Sequence, residues 1–333
     1  MPTFLVTGAA GFLGRHVTRT LAARQGTRVR AGVRRPDDAP FRDDEPGVAV
    51  TRADVRDPAS IRAALDGCDA VVHCAVGDWT TTVGGARVLM EQARRAGVRR
   101  VVAISSIAVH GEAEGRLTED APLVTGRRDY AGAKAEAERV FIALGREAGA
   151  PAVTLLRPTI VYGPGSALWI DGMARRIRSG RWGTFGPLGE GTCHPVHVED
   201  VAAAAAAALD AGRPHGEALF VNGPERLTWN AYFTRLAAHL GAPPLPSLDP
   251  ATVRRRMRAA LPAKVLARLL PPLRPWLRPI LDAAPAASEL RLFALKADYP
   301  TDRAEARLDW RPRVLLEDGL ARAVVVTPPE TRP

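Results

Sequence analysis

Thr3-Phe4-Leu5-Val6-Thr7-Gly8-Ala9-Ala10-Gly11-Phe12-Leu13-Gly14 decides the reading of this chain. A short apolar run leads into glycines at 8, 11 and 14 and then into a helical pattern that starts near Phe12. A strand that turns on glycine into a helix is the arrangement that binds phosphate. Gly8 lets the chain leave the strand sharply, Gly11 removes the side chain that would block a diphosphate, and Gly14 lets the helix approach the sheet. The helix then aims its unpaired amides and the positive end of its dipole at the anion. Glycines at this spacing also punctuate ordinary turns. The position of these three between an N-terminal strand and a helix is what points to a dinucleotide.

Outward from this turn, strand and helix patterns alternate. Arg28–Val33 and Val48–Arg52 read as the second and third strands, and Asp57 reads as the N-cap of a helix from Pro58 to Leu65, with proline at its first position. Ala70–Ala75 is a nearly continuous apolar strand, Gly84–Ala96 is helical with Gly97 as its stop, and Val101–Ile104 is the fifth strand. The expected fold class is α/β, a Rossmann-type doubly wound parallel sheet with a smaller C-terminal substrate-binding domain. The expected division is residues 1–160 plus about 192–222 for the nucleotide domain, with Leu219–Val221 as a further strand, and 161–191 plus 223–333 for the substrate-binding portion.

The second strand ends in Arg34-Arg35, where an acidic residue that accepts hydrogen bonds from the adenosine ribose of NAD would stand. Arg34, with Arg35 as its neighbour, suits a 2′-phosphate through a charge-assisted fork, so NADP is the preferred cofactor. The competing reading is two solvated arginines, with NAD bound without an acidic partner. Asp54 stands at a strand end where it can meet the adenine edge, with Val55 against its face. His73 has no triad partner nearby and reads as a structural histidine.

Ser105-Ser106 ends the fifth strand, at the carboxyl edge where such sheets bind ligands. Downstream, Tyr130 and Lys134 share one face of a helix. A phenol of pKa near 10 is a poor base at neutral pH. Lowering it by about 3 units takes roughly 4 kcal/mol, which a close ammonium and a positively charged ring can supply.

Taken in order, Thr7–Gly14, Asp54-Val55, Ser105-Ser106 before Val109-x-Gly111, Tyr130-x-x-x-Lys134 and Arg157-Pro158-x-x-Val161-Tyr162-Gly163-Pro164 resemble the extended short-chain dehydrogenase/reductases, the NAD-dependent epimerase/dehydratase group. The ending Asp302–Leu320 is similar to that group's C-terminal signature, so the resemblance spans nearly the whole chain. It implies that Ser106 hydrogen-bonds the substrate oxygen, Tyr130 transfers the hydroxyl proton, and Lys134 binds the nicotinamide ribose and tunes Tyr130. Thr7, Phe12, Leu13 and Ala75 join the implied cofactor-binding set. Ser106 is preferred to Ser105 because it lies three residues before Val109, the family's offset. His110 replaces a family tyrosine, a change expected to reshape the pocket wall.

Two departures weaken a nucleotide-sugar reading. Cys193-His194 stands where an arginine for the diphosphate often falls, and Thr159-Ile160 lacks the asparagine often found after the Arg-Pro pair. Arg175, Arg176, Arg178 and Arg181 remain available for a diphosphate. After His197, Glu199 or Asp200 is the expected cap of the alanine-rich helix. His194 and His197 have no third ligand at a sensible spacing, so no metal site is expected.

The chain of 333 residues carries a net charge of +10, largely from arginine. Coding bias explains that balance as well as an anionic partner does, and no basic stretch is interleaved with aromatics as a nucleic-acid platform would be. Cys68, Cys74 and Cys193 show no metal-binding spacing and read as buried free thiols. With a strand beginning at residue 3 and no apolar run near the roughly 20 residues of a membrane span, a cytoplasmic protein is expected. Residues 251–280 carry eight basic and no acidic residues among leucines and Trp276, and prolines at 271, 272, 275 and 279 break the segment. Peripheral contact with an anionic membrane, a lid over an apolar substrate, and a solvated helix on the substrate domain all fit them. The expected partner is a small molecule, with no nucleic acid, and a homodimer is left open.

These residues support an NAD(P)-dependent oxidoreductase interconverting a secondary alcohol and a ketone on a small, fairly apolar molecule. The alternatives are a nucleotide-sugar epimerase, dehydratase or ketoreductase that recycles bound NAD, and a non-catalytic redox-sensing binding protein.

Overall fold

The computed structural model describes residues 1–42, 45–211 and 216–325. Seven strands form one parallel sheet: β1 (Thr3–Thr7), β2 (Arg28–Val33), β3 (Val48–Arg52), β4 (Ala70–His73), β5 (Arg100–Ile104), β6 (Ala152–Pro158) and β7 (Glu217–Val221). Their spatial order is β7-β6-β5-β4-β1-β2-β3. The chain runs outward from β1 through β2 to β3, then returns to β4 on the other side. That reversal makes the gap between β1 and β4 the switch point, where the carboxyl ends of the strands open a crevice for ligands.

Because strand side chains alternate, β1 feeds two cores. Val6 joins Val17 and Leu21 of helix α1 (Phe12–Ala22) and the alanine-rich helix Val198–Asp210 on one face. Leu5 joins Ile61 and Leu65 of α2 (Pro58–Leu65), Leu89 of α3 (Gly85–Arg95) and Phe141 of α4 (Tyr130–Gly145) on the other. The sheet is therefore covered on both faces, as its apolar strands require. Asp57 caps α2 as expected, accepting from the Ala59 amide at 3.0 Å.

Beyond β6 the chain builds a separate aromatic core. It joins α5 (Met173–Arg178) and α7 (Trp229–His239), with Trp182, Phe185, Trp229, Tyr232, Phe233 and Phe293 buried together outside the main sheet, while the alanine-rich helix between them, α6 (Val198–Asp210), stays with the sheet. Four further helices follow, α8 (Pro250–Leu269), α9 (Arg274–Asp282), α10 (Ala287–Ala294) and α11 (Asp302–Leu308), then α12 (Leu316–Val325). The cap of α6 differs from expectation. His197 accepts from the Glu199 amide at 3.4 Å, while Asp200 is buried and receives the Arg313 and Val314 amides at 3.0 Å each. An acid placed one turn inside the helix serves the C-terminal segment here.

Candidate active site

The glycine turn forms the cradle that its sequence implies. Gly8 has φ +67°, and a Cβ there would fall 2.7 Å from the Ala75 backbone. A Cβ on Gly14 would sit 2.2 Å from the Gly8 carbonyl oxygen, so the helix reaches the turn only because both residues lack side chains. Gly11 precedes α1 with no side-chain cap, leaving the first amides of the helix to an incoming anion. Thr7 is buried, its hydroxyl 2.8 Å from His73 Nδ1. His73 is thus a satisfied core residue, and burial holds its imidazole down at about 3. Phe12, Leu13 and Ala75 stand half-buried around the turn. These residues present a concave, phosphate-compatible site with no side chain in its way.

At the end of β2, Arg34 and Arg35 part company. Arg35 pairs with Asp38 at 2.8 Å, whereas Arg34 is exposed and makes no hydrogen bond or ion pair with the described residues. Asp54 takes both nitrogens of Arg56, at 3.0 and 2.7 Å, and this pairing holds its carboxyl at about 2. An Asp54 occupied in this way is a fixed anion beside Arg34. Val55 is buried beneath it, packed against Gly85 of α3.

The three residues implied by the resemblance converge at the end of β5. Ser106 caps a short turn, Ile107–His110, accepting from the Ala108 amide at 3.2 Å. Asp129 caps α4 by accepting from the Gly132 amide at 3.0 Å, which sets Tyr130 as the first helical residue and Lys134 one turn later. The Tyr130 ring is 54 % exposed. Its phenol is nevertheless pushed up by burial, while hydrogen bonding from Ser106 pulls the other way. Lys134, 7 % exposed, donates to the Ile104 carbonyl at 2.6 Å, and burial pushes its ammonium down to about 8. Ser106 acts on the phenol, and Lys134 is turned to the strand end. Ser105 faces a separate enclosed space beside His73, Lys134 and Glu138, its buried hydroxyl unpartnered.

A second cavity lies past Ser106. Ile107, Ile160, Leu292, Leu295, Trp229 and His194 are among its walls, and both the Trp229 indole nitrogen and His194 Nε2 are buried there without a hydrogen-bond partner. Burial lowers the His194 imidazole to about 4, and its Nδ1 is 2.6 Å from Asn222 Nδ2. The sequence marked His194 only as a weak metal candidate. No group of three or more metal-ligating residues occurs among the described residues. Trp229 and Asn222 carried no sequence signal, because their neighbours in space are remote in the chain.

His110 does not reach this cavity wall. It is buried, Nδ1 3.2 Å from the Pro122 carbonyl and Nε2 3.3 Å from Arg157, edge-on to Phe220. Arg157 in turn forms a bidentate pair with Glu138 at 2.9 and 2.6 Å, and their side chains are 3 % and 1 % exposed. Glu138 lies one turn beyond Lys134 on the same helical face. The smaller imidazole thus completes a buried polar network. Of the four arginines left available for a diphosphate, Arg175 pairs with Asp282 at 2.9 Å and Arg176 with Glu289 at 2.7 Å.

Known proteins are similar to this chain in sequence and in fold. Similar in sequence is the sterol demethylase protein B of Methylococcus capsulatus, 42% identical over 178 residues, which are 49% of this chain and 52% of that protein. A 2-alkyl-3-oxoalkanoate reductase of Stenotrophomonas maltophilia is 30% identical over 259 residues, covering 72% of this chain and 76% of that one. The match to a UDP-glucose 4-epimerase of Vibrio cholerae spans 60% of its length. Among solved structures, a dTDP-glucose 4,6-dehydratase of Streptomyces venezuelae with NAD bound superposes with a TM-score of 0.74 at 25% identity, covering 97% of this chain and 96% of that one. The model of the NAD dependent epimerase/dehydratase family matches residues 4–221, from β1 to the end of β7. With the cradle, the switch-point crevice and the Ser106–Tyr130–Lys134 set all inside that span, the chain belongs to the NAD-dependent epimerase/dehydratase family.

Proposed function

We propose that this chain is an NADP-preferring oxidoreductase that interconverts a secondary alcohol and a ketone on a small, fairly apolar molecule. The observation that supports the reading is the placement of Ser106 just past the end of β5 and of Tyr130 and Lys134 one turn apart on α4, with Lys134 bonded to the Ile104 carbonyl of β5. The glycine cradle, the exposed Arg34 and Val55 are the residues that would hold the dinucleotide, with Arg34 meeting a 2′-phosphate. When bound, the nicotinamide supplies or takes the hydride.

The remaining chemistry falls to the side chains. Ser106 hydrogen-bonds the substrate oxygen, and Tyr130 gives that oxygen its proton in reduction and removes it in oxidation. Lys134, bonded to the strand end, is the residue that would hold a ribose hydroxyl of the cofactor. The apolar side chains Ile107, Ile160, Leu292 and Leu295 past Ser106 favour an apolar substrate body, and the Trp229 indole nitrogen, buried without a hydrogen bond, suits a polar group on it. Commitment of Arg175 and Arg176 to ion pairs favours this substrate class over a nucleotide sugar. The named activity of the Stenotrophomonas relative, a ketone reductase, points the same way.

Stoichiometric oxidation of added NADPH in the presence of apolar ketones is the expected result with purified protein. Tightly retained NAD, with interconversion of nucleotide sugars and no net change in cofactor absorbance, would replace this reading with that of an epimerase.

A further inference from the structure

The helical pair α8–α9 is unlike the rest of the surface. Eight of the fourteen exposed large apolar side chains among the described residues lie between 261 and 280: Leu261, Val265, Leu266, Leu269, Leu270, Leu273, Trp276 and Ile280. Trp276 is 83 % exposed. The eight basic residues of 251–280 surround them, and seven of the eight have no side-chain hydrogen bond or ion pair with the described residues; Arg256 alone is tied down, to the Arg181 carbonyl. No carboxylate interrupts the segment, and Asp282, which closes α9, is turned inward to Arg175.

The pattern on α8 is ordered. Arg254, Arg258, Leu261, Val265 and Leu269 recur at spacings of 4, 3, 4 and 4 and so share one helical face, cationic in the first half and apolar in the second. Val253, Ala260 and Ala263 are buried on the opposite side, holding the helix to the molecule. Exposed apolar patches rimmed by charge mark interaction sites.

We propose that α8 and α9 form a peripheral docking face for an anionic lipid bilayer. Unpaired arginines meet the headgroup phosphates while Leu269, Leu270, Leu273 and Trp276, at the turn between the helices, enter the interface. No helix among the described residues is long and apolar enough to cross a membrane, so the contact is with the surface. The next helix in the chain, α10, carries Leu292 to the apolar cavity, and Leu295 follows it there. Transfer of substrate from membrane to cavity rests on the proposed apolar substrate; the docking itself does not.

Flotation of the full chain with vesicles tests this. Binding to phosphatidylcholine vesicles doped with phosphatidylglycerol at low salt is expected, falling steeply as salt rises, with far weaker binding to phosphatidylcholine alone. Each arginine reversed in Arg254→Glu and Arg258→Glu is expected to lower partitioning by about fivefold or more, and Trp276→Ser to weaken it independently, with melting temperature and turnover of a water-soluble ketone unchanged. Absence of binding at low salt, or equal binding by the charge-reversed protein, would overturn the proposal. So would lipid-free self-association that Trp276→Asp abolishes, since a second copy would then be the occupant. Because flotation needs no turnover, loss of docking is distinguishable from failure of the proposed reaction.

Discussion

In the proposed reaction Tyr130 carries the proton in both directions, and Ser106 is the neighbour that acts on its phenol. Tyr130→Phe removes the proton and is expected to lower kcat by about 10²–10⁴ while leaving NADPH binding intact, as checked by cofactor fluorescence. Ser106→Ala removes the hydroxyl that acts on the phenol and should shift the pH at which activity falls as well as its height. Arg34→Ala is expected to raise the Michaelis constant for NADPH at least tenfold more than that for NADH, since the lost partner would be a 2′-phosphate worth about 1.5–3 kcal/mol in charge-assisted hydrogen bonds. Equal changes for the two cofactors would assign Arg34 to solvent. At this scale the sequence was legible where geometry follows from short spacings, as in the turn of Gly8, Gly11 and Gly14 or the one-turn offset of Tyr130 and Lys134. It misplaced His110 because that ring answers to Arg157, 47 residues on, and no local pattern records a partner at that distance.

Between elements, the pair of Arg157 on β6 and Glu138 on α4 locks the helix that carries Tyr130 and Lys134 to the sheet. Two charges this deeply buried are costly unless each satisfies the other. Glu138→Ala strands the guanidinium and is expected to destabilise the protein by about 3–5 kcal/mol in denaturant unfolding, whereas replacing both residues by apolar ones of similar volume should cost much less. The same single change should reduce kcat, because α4 carries Tyr130 and Lys134. Strands and helices of the nucleotide half were readable because each repeats a period of its own. The cap of α6 was not: Asp200 is drawn off by amides 113 and 114 residues away, and His197 takes its place.

Across the whole molecule, buried neutral histidines tie stability to pH. His73 and His194 have folded values of about 3 and about 4 against an ordinary 6.5. On acidification the unfolded chain takes up protons first, so stability is full above pH 6.5 and falls as pH drops below it. At pH 5 each imidazole should remove about 2 kcal/mol, a combined loss of about 4 kcal/mol in unfolding free energy between pH 7 and pH 5. A flat profile over that interval would show that these rings are protonated in the fold. The Asp200 carboxylate, finally, bears on the order in which the protein is made. It stands at the start of the helix that covers β1 and α1, yet the amides it binds belong to Arg313 and Val314, and the Trp310 indole donates to its carbonyl at 3.1 Å. A nascent chain that has already completed its seven-stranded sheet must still wait for residues 310–314, more than a hundred positions downstream of Asp200, before that face is latched.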